Sequence, residues 1–345
     1  MNNTTDKFNP NDIGVANGNY FGLPFSIDES QIVILPIPWD VTTSYNPGTH
    51  NGPQAILDAS LQVDLFDVNV NEAWNIEIGT EPLSEKVLKD NEKYRAISEC
   101  VINCLAMGYS ETELKKEIEK VNKGSRMLND WVYDKAKQFL EKGKMVALLG
   151  GEHSVPFGYI KALSEKYAEF GILHIDAHAD LRNAYEGFTY SHASIMYNVL
   201  NNIPQVTKIC QVGQRDFCVQ ECEIIERDER LSFFSDMEIS NFLFEGGTWK
   251  EICDKIIDSL PQNVYISFDI DGLSPDLCPN TGTPVPGGLS FRQADYLLFR
   301  LAASGKTIIG FDLCEVSPGS DEWDANVGAR LLFKMALYSQ LHARK

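Results

Sequence analysis

The stretch FGILHIDAHADLR, residues 170–182, places three polar side chains directly after an apolar run. Asp176, His178 and Asp180 occupy every second position, and alternate side chains of an extended segment point the same way. Carboxylates this close repel one another unless a cation neutralises them. Divalent metals accept such a mixture of oxygen and nitrogen ligands. The pattern favours a metal site at a strand end, and its alternative is a polar strand end with chance alternation.

Apolar runs and helical patterns alternate through most of the chain. Helical patterns separate most of these runs, at residues 156–170, 193–201, 248–260 and 290–304, and a last helix is predicted at 323–342. Strands spaced by helices favour an α/β fold with a mainly parallel sheet that helices cover on both faces. The predicted strands are residues 31–37, 145–149, 171–175, 208–212, 264–268 and 307–313.

No linker or internal repeat divides the 345 residues, so we expect a single domain over 1–345. Residues 1–30 are polar and rich in turn formers, which predicts an N-terminal arm on the surface or on a neighbouring subunit. Residues 84–143 are mostly helical in pattern, and 84–124 fit an inserted helical hairpin. Because this hairpin contains no cluster of chemically active residues, we expect it to serve packing or an oligomer surface.

The net charge of −19 and the lack of a basic stretch argue against nucleic-acid binding. An acidic protein attracts cationic small molecules, although acidity alone identifies no substrate. No apolar stretch is long enough to span a membrane and no secretory signal is visible. The eight cysteines lack CxxC spacing, which predicts reduced thiols and a cytoplasmic protein.

Further polar residues follow three other predicted strands. GGEHS at 150–154 supplies His153, SFDIDGLSP at 267–275 supplies Asp269 and Asp271, and GFDLCEVSP at 310–318 supplies Glu315. The carboxyl ends of parallel strands meet at one edge, so these side chains are expected to join those of the 170–182 stretch. Two histidines and four aspartates exceed the needs of one ion and suggest two metals with shared carboxylates.

In this order and spacing, GGEHS, DAHAD and SFDIDGLSP resemble the three signatures of the ureohydrolase family, which includes arginase and agmatinase. The resemblance implies a three-layer α/β/α fold, often in trimers or hexamers, and a homo-oligomer is therefore expected. It also implies two metal ions, usually Mn²⁺, with Ni²⁺ as an alternative. The implied assignment gives His153 and Asp180 to the first metal, His178 and Asp271 to the second, and Asp176 and Asp269 to both.

The family's reaction is the hydrolysis of a guanidino compound to urea and an amine. The resemblance gives His192, in YSHAS, a proton-shuttle role, and it pairs Glu315 with the substrate guanidinium. Asp180 is expected to take part in proton transfer while it binds a metal. His192 as a helix cap and Glu315 in a structural salt bridge are the alternatives.

Three more polar residues are expected to lie outside the set of metal ligands. His174 alternates away from His178 and is expected to be a core histidine, Asp312 to be structural, and His50 to be a solvated loop residue. The chain departs from the family pattern at two positions, with Glu152 and Ser274 where Asp is common.

The loop LRNAYEGFTYS, residues 181–191, is bulkier than the arginase loop that holds an amino-acid head, and YSHAS resembles the agmatinase-like form. Agmatine, giving putrescine, is therefore the first expected substrate; Glu186 would meet its distal ammonium or lie at the surface. Guanidine, guanidinobutyrate and other guanidino or formimino compounds are alternatives. Two other classes stay open at this point, a metal-binding regulatory or assembly protein without turnover and a one-metal zinc deacetylase of related fold.

Overall fold

A computed structural model describes residues 8–341 of the chain, in which eight strands form a single, entirely parallel sheet. The strand order is β2-β1-β3-β8-β7-β4-β5-β6. The parallel α/β architecture expected from the alternating pattern is thus confirmed. The strands are β1 (Ile32–Ile37), β2 (Ile78–Thr80), β3 (Met145–Gly150), β4 (Phe170–Ile175), β5 (Val206–Val212), β6 (Leu231–Phe234), β7 (Asn263–Asp269) and β8 (Thr307–Cys314).

Helices cover both faces of the sheet, which gives three layers. The central strands are buried beyond their first residues, and β4 along its whole length. Successive side chains enter two separate apolar clusters; Ile172 lies in one and Leu173 in the other. One cluster receives side chains from α1 (Gly52–Ser60), α7 (Asp236–Phe244), α8 (Trp249–Ser259), α9 (Phe291–Ala303) and α10 (Trp323–Ser339). The other receives α2 (Glu85–Ala106), α3 (Lys115–Glu141), α4 (Phe157–Lys166), α5 (Ile195–Asn202) and α6 (Val219–Arg227).

The differences from the predicted elements lie at the edges of the sheet, at helix ends, and at α6 and α7, two helices on either side of β6 that were not predicted. β2 and β6 are the two edge strands, and with three and four residues they are too short for a clear alternation. α4 ends at Lys166, before the predicted residue 170, because Phe170 already belongs to β4. α10 ends at Ser339. Residue 342 of the predicted last helix and residues 1–7 of the predicted arm lie outside the described range.

Strand order decides where the polar residues meet. β3, β8, β7 and β4 are consecutive neighbours in the middle of the sheet, and the chain segments after them carry the predicted site residues. Since all four strands are parallel, their carboxyl ends open on the same edge. Between residues 8 and 341, no helix has the length and apolar character needed to cross a membrane.

Candidate metal centre and active site

His153, which follows β3, lies among carboxylates from two other strand ends. Its Nδ1 is 3.0 Å from Oδ2 of Asp176, 3.4 Å from Oδ2 of Asp180 and 3.3 Å from Oδ2 of Asp269. All four side chains are buried. The structure therefore brings one imidazole and three carboxylates to a common point at the end of the sheet.

A second cluster adjoins the first and shares Asp176 with it. Nδ1 of His178 lies 3.1 Å from Oδ2 of Asp271 and 3.4 Å from Oδ1 of Asp176. Asp176 thus presents one oxygen to His153 and the other to His178. The six residues predicted from the motifs lie together, and Asp176 is between their two groups.

Backbone N–H groups fix the orientation of these carboxylates. Asp176 accepts a hydrogen bond from the His178 N–H at 2.6 Å, and Asp271 accepts one from Ala177 at 3.0 Å. Asp269 accepts from the N–H of Asp271 at 2.9 Å. Each aspartate accepts this bond on Oδ1 and faces a histidine with Oδ2, and Oδ1 of Asp176 also faces the ring of His178.

Burial and mutual repulsion strongly perturb the ionisation of the cluster. Burial, together with Asp271, raises the pKa of Asp269 well above its usual value, and burial with Asp176 raises that of Asp180 to about 6. Burial opposes charge on His153, yet its bonds to the carboxylates hold its pKa well above normal. A donor set with this much concentrated negative charge fits divalent cations, which favour carboxylate and imidazole ligands.

Two of the three possible ligand groups within residues 8–341 follow the same division, and the third consists of His153, Asp312 and Cys314. His153, Asp176 and Asp180 form one set whose donor atoms lie within 4.8 Å of one another, and Asp176, His178 and Asp271 form another. The first set also contains His174, which the sequence predicts as a core residue. His174 is fully buried, and its Nε2 lies 2.9 Å from Oδ2 of Asp176.

Asp312 lies behind His153, on the side away from the carboxylate cluster. Its Oδ1 is 3.6 Å from Nε2 of His153, which also contacts Oγ of Ser267 at 2.8 Å. Asp312 accepts a hydrogen bond from the Tyr265 hydroxyl at 2.7 Å. Its predicted structural role therefore includes contact with a candidate ligand, because such partners orient a histidine for metal binding.

Glu315 carries a carboxylate oxygen that no group of residues 8–341 satisfies. Its Oε1 accepts a hydrogen bond from the His153 N–H at 2.9 Å, whereas its buried Oε2 has no hydrogen-bond partner. Burial and the nearby Glu152 raise the pKa of Glu315 well above its usual value. The structure shows no salt bridge from Glu315 to a described basic residue, and an unpaired buried carboxylate is costly. This geometry suits a cationic ligand.

A cavity of about 160 Å³ opens beside the cluster, and His192 lies in its wall with His178, Asp180 and Tyr185. The His192 backbone N–H donates to Oγ1 of Thr42 at 3.1 Å. Burial and the neighbouring His178 lower the pKa of His192 to about 4. His192 is therefore close to the candidate metal ligands and faces the space in which a substrate would lie.

The wall of this cavity is held by the helical pair α2 and α3. The side chain of Asn122, on α3, donates to the Gly187 carbonyl at 3.0 Å and accepts from the Thr189 N–H at 2.8 Å. Arg95, on α2, donates to the carbonyls of Asp40 and Val41 at 3.3 and 3.4 Å. The packing role expected for these helices therefore includes hydrogen bonds to two loops of the site, and their part in an oligomer surface stays a prediction.

Glu186 and His50, two loop residues outside the cluster, are less exposed to solvent than a surface location would imply. Glu186 has a left-handed backbone, with φ of 54°, and its buried Oε2 finds no hydrogen-bond partner among residues 8–341. Burial raises its pKa to about 7. His50 was expected to be solvated, but its Nδ1 lies 2.6 Å from Oδ2 of the buried Asp40. A single loop histidine carries no sequence signal for such a partner.

Comparison with known proteins agrees with this geometry. The Arginase family model matches residues 30–338. N(1)-aminopropylagmatine ureohydrolase of Thermus thermophilus is 32% identical, with 89% of each chain covered. Agmatinase of Bacillus anthracis is 30% identical, with 87% of this chain and 88% of the relative covered. The crystal structure of agmatine ureohydrolase of Thermoplasma volcanium, 23% identical, superposes with a TM-score of 0.68 over 92% of this chain and 93% of that one.

The family model spans nearly all of the described residues, and both relatives are covered over most of their length. The arginase family consists of binuclear metal enzymes, and the candidate ligands for divalent metals are present. The chain therefore belongs to the arginase family and is a hydrolase that acts on guanidino compounds.

Proposed function

We propose that the protein hydrolyses agmatine to putrescine and urea with the help of two divalent cations. The observation that carries this proposal is the Glu315 carboxylate, which is buried beside the aspartate–histidine cluster with one oxygen lacking a partner. A guanidinium group would supply the missing donors in a charge-assisted, forked contact. Such a contact would hold the guanidinium carbon next to the metal centre.

The cluster geometry supports the ligand assignment that the motifs imply. We assign His153 and Asp180 to the first cation, His178 and Asp271 to the second, and Asp176 and Asp269 to both. Asp176 contacts both histidines, which supports a bridging role. Two bound cations would lower the pKa of a water molecule, so that a nucleophile forms near neutral pH. Mn²⁺ is our first choice because the set is rich in carboxylates, and Ni²⁺ is the alternative.

Three residues of the chain would bind the substrate and transfer protons. Glu315 would orient the guanidinium and balance its charge. Asp180, which we assign to the first cation, would accept a proton from the attacking water. His192, in the cavity wall, would accept this proton on its ring and pass it to the departing amine, which must leave protonated.

The tail of the substrate is a separate question from the reaction. Relatives named N(1)-aminopropylagmatine ureohydrolase, from Thermus thermophilus and from a Synechocystis strain, are 32% and 30% identical to this chain, which makes N(1)-aminopropylagmatine the second candidate. This compound has the same guanidinium end as agmatine and a longer cationic tail. The cavity wall carries Asp216 and also Glu221, which lies 3.8 Å from the basic Arg182, so that Asp216 is the acidic group we assign to either amine. Guanidine and guanidinobutyrate lack this second positive charge.

The direct test is urea release from a panel of guanidino compounds by protein reconstituted with Mn²⁺ or Ni²⁺. The panel contains agmatine, N(1)-aminopropylagmatine, arginine, guanidinobutyrate and guanidine. We expect the highest kcat/KM with agmatine and little turnover of arginine. A higher kcat/KM with N(1)-aminopropylagmatine would identify that compound, and not agmatine, as the preferred substrate. Absence of urea from every compound, in protein that holds two metals per chain, would contradict the proposed function.

Several properties of the whole protein complete the proposal. We expect a homo-oligomer, either a trimer or a hexamer, and light scattering would measure its mass. We also propose one domain, with α2 and the start of α3 as an inserted helical pair. All eight cysteines are free, which supports a location with reduced thiols such as the cytoplasm.

A further inference from the structure

Glu152 is a fully buried carboxylate that the proposed reaction leaves without a role. Both of its oxygens accept hydrogen bonds: Oε1 from the hydroxyls of Thr42 at 2.8 Å and Ser154 at 2.6 Å, and Oε2 from the Thr42 N–H at 2.7 Å. The Thr43 hydroxyl adds a longer bond to Oε2 at 3.3 Å. A carboxylate with donors on both oxygens acts as an acceptor only.

Thr42 connects this carboxylate to the cavity wall. Its hydroxyl has one hydrogen, which is directed at Oε1 of Glu152. The Thr42 oxygen can therefore only accept on its other side, where it receives the His192 N–H at 3.1 Å. The same oxygen lies 3.5 Å from Nδ1 of the His192 ring.

The direction of these bonds bears on the tautomer of His192. An oxygen that only accepts favours a ring nitrogen that carries a hydrogen, so Nδ1 would be protonated in the neutral ring. Nε2 would then be the free nitrogen on the side of the cavity. Ser191 is the competing group, because its Oγ lies 3.3 Å from Nδ1 and can donate as well as accept.

We propose that Glu152 and Thr42 are a positioning pair, which holds His192 in the cavity wall with Nδ1 protonated and Nε2 available to the substrate. The pair touches neither the substrate nor its reacting atoms and acts through His192. The inference rests on the proposed function, because it assigns the pair to the proton-transfer residue. It also gives a reason for a glutamate at a position where the family commonly has aspartate, since the longer side chain reaches Thr42.

The kinetic test uses Thr42→Val, which keeps the size of the side chain and removes the hydroxyl. We expect kcat to fall about 10-fold or more, with KM changed less than about 3-fold and two metals retained, because general acid–base catalysis contributes about 100-fold or more. Thr42→Ser should stay within about 3-fold of the unchanged protein. Thr43→Val is the matched control, because Thr43 also contacts Glu152 but, within residues 8–341, makes no hydrogen bond to His192; its kcat should fall less than about 3-fold.

A double-mutant cycle separates positioning from general damage. In a His192→Ala background, Thr42→Val should change kcat less than about 2-fold, because the residue through which it acts is gone. Equal losses in both backgrounds would overturn the proposal. We expect the metal content of each variant, measured by mass spectrometry, to remain at two ions per chain. The changes in kcat then report on His192 and not on loss of metal.

The tautomer itself gives a readout that does not need turnover. Long-range ¹H–¹⁵N correlation on histidine-labelled, Zn²⁺-loaded protein would report which His192 nitrogen carries the hydrogen; His192→Ala identifies the signal. We expect Nδ1–H in the unchanged protein, in Thr42→Ser and in Ser191→Ala, and a shift toward Nε2–H in Thr42→Val. Nε2–H in the unchanged protein would refute the pair, whereas absence of urea from all substrates would refute the proposed function alone.

Discussion

The metal end and the substrate end of the site are built by different parts of the molecule. The candidate ligands follow β3, β4 and β7, which lie in the middle of the sheet, and backbone N–H groups fix their aspartates. The cavity wall comes from loops whose carbonyls are held by Asn122 and Arg95 of α3 and α2. The sheet therefore fixes the chemistry, and the helical pair fixes the loops that meet the substrate. Changes at one end should leave the other intact.

Loss of the shared ligand should have the largest effect. Asp176→Ala removes the carboxylate that contacts both His153 and His178, so we expect occupancy of both metals to fall and kcat/KM to drop about 1000-fold or more. Metal content by mass spectrometry and urea release measure the two effects. Asp228→Ala, which breaks only a partly exposed pair with Arg230, is the control. Loss of a single metal would show that Asp176 does not bridge.

Removal of the charge on Glu315 should affect the substrate and spare the metals. Glu315→Gln keeps the shape of the side chain and removes the negative charge that we assign to the guanidinium. We expect kcat/KM for agmatine to fall about 100-fold, in line with about 3 kcal/mol for a buried charged contact. Metal content should stay at two per chain. An unchanged kcat/KM would show that Glu315 has a structural role and does not bind the guanidinium.

A substitution in α3 should alter the cavity wall without touching the metals. Asn122→Ala removes the bonds to Gly187 and Thr189, each worth about 1 kcal/mol. We expect KM for agmatine to rise about 5-fold or more, and the preference between agmatine and its aminopropyl derivative to change. Asn201→Ala, on exposed helix surface, is the matched control. A fall in metal content would show that the two ends are not independent.

The smallest effect should be a pH-dependent loss of stability at the loop that carries Thr42. The hydrogen bond to Asp40 raises the pKa of His50, so protonated His50 stabilises the fold. This contribution is complete below the unfolded pKa of about 6.5 and disappears as the pH rises through the folded value. His50→Gln should therefore lower the free energy of unfolding by about 1 kcal/mol or less at pH 5.5, since His50 is a third exposed, and have less effect at pH 9. Urea denaturation measures both, and an equal loss at both pH values would contradict the assignment.

The metal end could be predicted from sequence because its signals are local. An apolar run followed by alternating Asp176, His178 and Asp180 gives both a strand and its ligands. Parallel strands then place Asp269 and His153 at the same edge, whatever the order of the strands. The three-layer fold followed from the same alternation of strands and helices, and it was confirmed.

The cavity wall could not be predicted because its contacts join residues far apart in the chain. Asn122 and Gly187 are 65 positions apart, and no motif connects them. His174 and Asp312 are buried, as alternation predicts, but alternation does not reveal that each of them also contacts a candidate metal ligand. The short edge strand β6 was missed because four residues carry too little pattern.

The most direct test of the account is anomalous diffraction at the manganese edge from crystals of the Mn²⁺-loaded protein. The account predicts two peaks per chain, both within coordination distance of Asp176, with His153 beside one and His178 beside the other. A single peak, or a pair of peaks that does not share Asp176, would contradict the two-metal centre at the end of the sheet.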